Sequence, residues 1–126
     1  MARILIVDDD ADGREALAGY LTKAGHAVRR AAGGREALQA MSMEVPELIL
    51  LDVRMPGMDG LAVLHVLRSY RRWAKVPVAV LTAYPEDPRL WHVRDKAVER
   101  VFTKSRTDLA DVLAWVDHRT APTNAT

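Results

Sequence analysis

Four short apolar runs of the chain each end at an acidic, hydroxyl or ammonium side chain. The runs occupy residues 4–7, 48–51, 78–81 and 98–103. The residues at which they end are Asp8 to Asp10, Asp52, Thr82 and Lys104. Short runs with β-branched residues, separated by amphipathic stretches of helical length, are typical of buried parallel strands. The pattern predicts an α/β domain in which strands and helices alternate.

The segments between these runs complete five rounds of strand and helix. The first helix is predicted to begin at a cap on Asp10 or Asp12 and to end at Gly25, where a left-handed residue suits a helix end. A weak second strand follows over residues 26–31. Asp59 precedes the third helix and is predicted to be a turn residue.

The C-terminal third of the chain predicts two further helices. Prolines before the fourth helix confine it to residues 89–96. The last helix is predicted to be capped by Ser105 or Thr107. Its predicted buried stripe consists of Leu109, Val112, Leu113 and Val116. One domain over residues 1–120, followed by a short tail or linker at 121–126, is therefore expected.

The strand ends bring reactive side chains together. The carboxyl ends of parallel strands lie along one edge of a sheet, where Asp8, Asp9, Asp52, Thr82 and Lys104 are predicted to converge. Crowded carboxylates repel one another, and Mg²⁺ on Asp8 and Asp9 relieves that repulsion. Asp52 precedes a tight turn and is the candidate nucleophile for an aspartyl phosphate. Thr82 and Lys104 are candidates for holding the phosphoryl oxygens.

Composition and charge narrow the function classes. The 126 residues suit one domain, have a net charge of +1 and include no cysteine. A net charge near zero does not favour binding to nucleic acid. The first apolar run is only four residues long, too short to cross a membrane. The basic and aromatic stretch at residues 68–75 is interpreted as a solvated helix end. A cytoplasmic protein is expected.

Two other motifs compete for the first acidic cluster. A calcium-binding EF-hand loop has similar acidic spacing, but its twelfth position here is Gly19 instead of a bidentate glutamate, which excludes it. Aspartate phosphatases of the haloacid dehalogenase type share the fold class and would use Asp8 or Asp10 as the nucleophile. No threonine or valine follows Gly13 in the usual place. This Mg²⁺-dependent phosphatase is the alternative hypothesis.

Four motifs resemble one known family over nearly the whole chain. They are ILIVDD at residues 4–9, LDVRMPGMDG at 51–60, LTA at 81–83 and TK at 103–104. Through them the chain resembles the receiver domain of two-component response regulators. The resemblance implies a flavodoxin-like, doubly wound five-stranded parallel sheet of order 2-1-3-4-5, with helices on both faces.

The same resemblance implies roles for individual residues. Asp52 would take a phosphoryl group from a histidine kinase or a histidine phosphotransfer protein. The residues implied to bind Mg²⁺ are Asp8, Asp9, Asp52 and, through its backbone carbonyl, Arg54. Those implied to contact the phosphoryl oxygens are Thr82, Ala83 and Lys104. Such a domain catalyses only its own phosphorylation and dephosphorylation, so a signalling switch rather than a turnover enzyme is expected.

Two positions depart from the family pattern. Receivers usually carry an aromatic residue three positions before the lysine. Here that switch position is Val101, whose short, stiff side chain cannot swing inward. The proline that usually follows the lysine through a cis bond is replaced by Ser105, which predicts a trans bond. The signal is therefore expected to leave the site by a modified route.

The resemblance also implies a surface for a downstream protein of unknown identity. That surface is the face built by the fourth helix, the fifth strand and the fifth helix. Tyr84, Trp91 and Trp115 lie in or near these elements. Exposed aromatic residues often mark contact sites, and two of the three are expected to be partly exposed, while Trp115 also suits the core.

Overall fold

Strands and helices alternate along the computed structural model, which describes residues 1–93, 97–104 and 106–120. The strands are β1 (Arg3–Val7), β2 (Ala27–Ala31), β3 (Leu48–Asp52), β4 (Val78–Thr82) and β5 (Arg100–Thr103). The helices are α1 (Ala11–Lys23), α2 (Gly34–Met43), α3 (Gly60–Ser69), α4 (Arg89–Val93) and α5 (Leu109–Thr120). None of the helices within these ranges has the length and apolar character needed to cross a membrane.

The five strands form one parallel sheet in the order β2-β1-β3-β4-β5, which confirms the predicted topology. The register sets Val7 beside Leu51 and Asp52 beside Leu81. β4 and β5 are also paired up to their last residues. The carboxyl ends of four strands therefore meet at one edge, as the positions of the polar residues in the sequence predict.

Apolar side chains fill both faces of the sheet. Every residue of β3 and β4 is buried because helices cover these strands on both sides. One core layer joins the sheet to α2, α3 and α4 through residues such as Met41, Leu64 and Val93. The other joins the sheet to α1 and α5 and includes Leu21 and Trp115. The doubly wound arrangement is confirmed.

The start of α5 differs from the prediction. The helix begins after Asp108 rather than at a cap on Thr107. The Asp111 carboxylate accepts a hydrogen bond from the Asp108 N–H at 3.2 Å. An acidic residue inside the first turn therefore gives a partner to one backbone N–H at the start of the helix. Leu109 is 37% exposed and does not belong to the buried stripe, which begins at Val112.

The starts of α1 and α3 also differ in detail from the sequence prediction. Asp10 precedes α1 as predicted, but its side chain makes no capping hydrogen bond. Asp59, predicted to be a turn residue, is instead the cap of α3, and its side chain accepts from the Ala62 N–H at 2.9 Å. The turn itself depends on Gly57, whose φ of 75° fits a type II turn. The Asp59 cap fixes the start of α3 close to the end of β3.

Three parts of the sequence prediction lie outside the described residues. They are the end of the fourth helix at residues 94–96, the bond before Ser105, and the tail at 121–126. These stay predictions.

Close contact between α3 and β3 generates a stability prediction. A Cβ atom at Gly60 would overlap the backbone oxygen of Asp52 and lie 2.7 Å from the Val53 Cα. Because backbone atoms cannot give way cheaply, Gly60→Ala is expected to lower the free energy of unfolding by about 1–3 kcal/mol. Denaturant unfolding measures this change.

Gly19 provides the matched control for this substitution. It lies on the exposed side of α1, and a Cβ atom there meets nothing within 4 Å. Gly19→Ala is expected to raise the free energy of unfolding by about 0.5–1 kcal/mol, because alanine loses less backbone entropy in a helix. If Gly60→Ala were as harmless as Gly19→Ala, the tight approach of α3 to β3 would be contradicted.

Candidate functional site

Three carboxylates cluster at the edge of the sheet where the strands end. Asp8 follows β1 and Asp52 is the last residue of β3, while Asp9 lies next to Asp8 on the outer side. One carboxylate oxygen from each of the three residues lies within 4.8 Å of the others. Asp8 and Asp52 are buried and Asp9 is exposed. The cluster is therefore open to solvent on the Asp9 side.

Lys104 brings a positive charge into this cluster from the end of β5. Its ammonium group donates to Asp8 Oδ2 at 2.8 Å and to Asp52 Oδ2 at 3.3 Å. Its backbone N–H donates to the Thr82 carbonyl at 2.7 Å, which continues the pairing of β5 with β4 past the last strand residue. The sheet itself therefore positions the lysine. Its predicted convergence with Asp8 and Asp52 is found in the structure.

Burial determines the protonation behaviour of the Asp52 carboxyl. It raises the pKa of Asp52 from the ordinary 3.8 to about 6, because the charged form loses hydration. The Lys104 charge lowers this pKa, whereas the hydrogen bond and the negative charge of Asp8 raise it further. For Lys104, burial lowers the pKa, but the hydrogen bond to Asp8 and the charges of Asp52 and Asp8 outweigh burial and raise it overall.

Thr82 and Arg54 lie beside the cluster in different ways. The Arg54 backbone N–H donates to Asp52 Oδ1 at 3.2 Å and holds that carboxylate in place. The Thr82 hydroxyl accepts from the Tyr84 N–H at 2.9 Å and donates to the Tyr84 carbonyl at 3.2 Å. Thr82 is thus buried near the site, but its hydroxyl is bonded to the next loop instead of to Asp52. Ala83, which lies between Thr82 and Tyr84 in the sequence, is exposed.

The two faces of β5 carry different residues. Val101 is 43% exposed and lines an open groove with Pro85, Leu90 and Trp91. Phe102 points to the opposite face and packs edge-on against Trp115, with ring centroids 6.3 Å apart. Trp115 is buried, as the core interpretation of that residue predicts.

The sequence prediction missed one buried charge next to the site. Asp87, between β4 and α4, has a side chain only 4% exposed, and it pairs with the side chains of Arg54 and Arg89, each at 3.4 Å. An aspartate directly before Pro88 could have indicated a helix cap. No pattern in the sequence indicates that its partner is Arg54, which lies in another loop.

The donor set at the sheet edge fits a divalent cation. Mg²⁺ prefers oxygen ligands and takes one or two carboxylates together with water and phosphate oxygens. The three carboxylate oxygens of Asp8, Asp9 and Asp52 lie within 4.8 Å of one another and form a group of the kind that holds one metal ion. The site is therefore compatible with Mg²⁺, although Lys104 already neutralises part of its negative charge.

Comparison with known proteins assigns the family. The profile of the response regulator receiver domain matches residues 4–116. The chain therefore belongs to the family of response regulator receiver domains, which act in two-component systems, with an acidic pocket formed by Asp8, Asp9 and Asp52.

Individual relatives agree with this assignment. The chain is similar to the transcriptional regulatory protein GltR of Pseudomonas aeruginosa, with 35% identity over 92% of this chain. It spans only 56% of GltR, about half the length of that relative. The signal receiver domain of a signal transduction histidine kinase from Syntrophus aciditrophicus superimposes with a TM-score of 0.87 and 27% identity, covering 100% of this chain and 95% of that one.

A further solved relative was determined with bound magnesium. The response regulator TrrA of Thermotoga maritima, in complex with Mg²⁺–BeF, superimposes with a TM-score of 0.77 and 30% identity. The match covers 94% of this chain and 99% of TrrA.

The raised pKa of Asp52 generates a prediction on stability. Between about pH 4 and pH 6 the folded protein binds this proton more tightly than the unfolded chain does. Ionised Asp52 therefore lowers stability above pH 6, and the effect disappears below pH 4. In EDTA at pH 7, Asp52→Asn is expected to raise the free energy of unfolding by about 1–3 kcal/mol. Urea unfolding at several pH values measures this gain and its loss near pH 4.

Asp10→Asn is the matched control, because it removes an exposed carboxylate that makes no capping bond. A gain in stability of the same size and pH dependence in Asp10→Asn would contradict the special position of Asp52.

Proposed function

We propose that Asp52 is the phosphoacceptor of a two-component phosphorelay and receives its phosphoryl group from a histidine kinase or a histidine phosphotransfer protein. The position of its carboxylate supports this proposal most strongly. It lies at the end of central strand β3, 3.3 Å from the Lys104 ammonium and beside the Asp8 and Asp9 carboxylates. In the pH range above about 6 the carboxyl is ionised and can act as a nucleophile.

The proposed chemistry is the transfer of a phosphoryl group to Asp52, followed by hydrolysis of the acyl phosphate. A carboxylate oxygen of Asp52 attacks phosphorus, the bond from phosphorus to the donor breaks, and the electron pair leaves with the donor. The Lys104 ammonium stabilises negative charge on the phosphoryl oxygens. Mg²⁺, held by Asp8, Asp9, Asp52 and the Arg54 carbonyl, supplies further compensation of charge when bound. Water then attacks phosphorus, the bond from phosphorus to the Asp52 oxygen breaks, and inorganic phosphate leaves while the carboxylate is restored. Both steps take place on the domain's own Asp52.

Thr82 and Ala83 complete the proposed set of phosphoryl contacts. Because the Thr82 hydroxyl is bonded to Tyr84 in the structure, it has to exchange its bond to the Tyr84 carbonyl for one to a phosphoryl oxygen. Ala83 is exposed beside it and leaves the approach to the site free of a large side chain.

The proposed partner surface is the face formed by α4, β5 and α5. Trp91 on α4 is 79% exposed, and Tyr84 and Val101 are 44% and 43% exposed. Trp91 and Val101 line one open groove with Pro85 and Leu90. Large exposed aromatic residues beside an apolar groove are typical of contact surfaces. We place the downstream protein, whose identity is unknown, on this face.

Labelling with a small phosphodonor tests the acceptor. In the presence of Mg²⁺ and acetyl phosphate, the protein is expected to gain one phosphoryl group, and EDTA is expected to prevent the reaction because the clustered carboxylates then stay uncompensated. Asp52→Asn is expected to lose the label. Intact mass and peptide mapping measure the label and its position.

Asp10→Asn separates this proposal from the alternative phosphatase. That variant removes an exposed carboxylate near the site and is expected to label like the parent protein. Label retained in Asp52→Asn and found on Asp8 or Asp10 would sink the proposal and favour the phosphatase.

Substitution of the exposed tryptophan tests the partner surface. Proteins retained from the source lysate only by the Mg²⁺–beryllofluoride form are expected to bind Trp91→Ala about 30-fold more weakly, since a buried aromatic anchor typically contributes about 2 kcal/mol. Quantitative pull-down at several concentrations measures the loss. Tyr70→Ala is the control, because Tyr70 is also exposed (57%) but lies at the C-terminal end of α3, which is not part of the proposed surface. Equal retention by Trp91→Ala and the parent protein would show that the surface is elsewhere.

A further inference from the structure

Four side chains of alternating charge connect the loop after β3 with the start of α4. Arg54 and Asp59 belong to the first of these regions, and Asp87 and Arg89 to the second. The ion pairs Arg54–Asp87, Asp87–Arg89 and Arg89–Asp59 each have an N···O distance of 3.4 Å. Asp87 is the most buried member, with a side chain 4% exposed. A buried carboxylate depends strongly on its cationic partners.

Asp87 also determines how α4 begins. Its Oδ1 atom accepts from the Arg89 N–H at 3.0 Å, and its carbonyl accepts from the Leu90 N–H at 3.0 Å. These bonds satisfy donors at the first turn of the helix. The described part of α4 is only five residues long, and Asp87 fixes its first turn while buried Val93 ties its other end to the core.

Arg54 contacts both the acceptor residue and this helix cap. Its backbone N–H donates to Asp52 Oδ1 at 3.2 Å. Its guanidinium pairs with Asp87 and lies over the Tyr84 ring, 4.3 Å from the centroid. One residue therefore joins the carboxylate of Asp52 to the N-terminal end of α4.

Lys104 joins the end of β5 to Asp52, but among the described residues no ion pair or side-chain hydrogen bond continues from Lys104 to α4. Val101 is 43% exposed, and its short, stiff side chain cannot make the swing of a large aromatic side chain. Phe102 is fixed on the other face of the strand against Trp115. Within the described part of the chain, the hydrogen-bond partners of the Thr82 hydroxyl are backbone groups of Tyr84.

We propose that the Arg54 side chain, through its ion pair with Asp87, couples the state of Asp52 to the position of α4. The proposal rests on Asp52 being the phosphoacceptor. A phosphoryl group raises the negative charge at Asp52 from one to nearly two and competes with Asp87 for the Arg54 guanidinium. The Arg54–Asp87 pair is the two-state element: it is formed in the unmodified domain and broken in the modified one, which releases the cap of α4.

Amide chemical shifts with and without Mg²⁺–beryllofluoride test this coupling. In the parent protein, amides of Asp9, Asp52 and Lys104 are expected to shift, together with those of Arg89 to Val93 in α4. In Asp87→Asn, which keeps an oxygen to cap α4 but loses the charge, the shifts at Asp9 and Lys104 are expected to persist. The shifts in α4 are expected to fall to the level seen at residues 40–43, at the C-terminal end of α2.

A second variant and a control keep the test decisive if Asp87→Asn folds poorly. Arg54→Gln breaks the same pair from its half-exposed side and is expected to lose the α4 response as well. Arg30→Gln removes an equally charged side chain from the exposed Arg30–Glu15 pair, and its α4 response is expected to match that of the parent.

Three results would overturn the proposal. The first is a full α4 response in Arg54→Gln or in a folded Asp87→Asn. The second is loss of the Asp9 and Lys104 shifts in Asp87→Asn, which would make Asp87 part of the site itself. The third is absence of any shift at Asp9, Asp52 and Lys104 in the parent protein, which would also refute the proposed phosphoacceptor and is thereby distinguishable from failure of the coupling alone.

Discussion

The structure depends most on the balance of charge at the carboxyl edge of the sheet. Asp8 and Asp52 are both buried, and two ionised carboxylates at this spacing repel each other. The Lys104 ammonium lies within hydrogen-bond distance of both and makes their burial tolerable. That arrangement requires β1, β3 and β5 to end at the same level, which the parallel register provides. The site is thus a direct consequence of strand order and register.

This dependence explains why the sequence predicted so much of the site. A buried parallel strand leaves a clear signal, and the residue that follows it lies at the binding edge whatever the intervening helices do. The sequence alone therefore predicts that Asp8, Asp52 and Lys104 lie together. The two-residue period of a strand also explains why Phe102 points away from Val101.

Features set by contacts between loops could not be predicted in this way. The pairing of Asp87 with Arg54 joins two irregular segments whose relative position depends on packing of α3 and α4, and no periodicity encodes it. The orientation of the Thr82 hydroxyl and the cap formed by Asp59 depend on which nearby N–H group needs a partner. Element types and the strand-end residues were predictable, whereas hydrogen-bond partners in the loops were not.

The balance at the sheet edge is incomplete, and this incompleteness suits a regulated site. The Lys104 charge does not fully offset the burial of Asp52 and its repulsion by Asp8. The pKa of Asp52 is therefore raised to about 6. The ionised domain at neutral pH is therefore less stable than its fold alone would permit. A change that supplies positive charge to the site, or that removes the ionised Asp52 carboxylate, relieves this loss of stability. The free energy so released can shift neighbouring contacts. The contacts best placed to respond are those already attached to Asp52, and among the described residues the Arg54 backbone is one that leads directly out of the pocket. A site kept slightly unfavourable in its resting state can, on the proposed modification, shift the Arg54–Asp87 pair without rearranging the core.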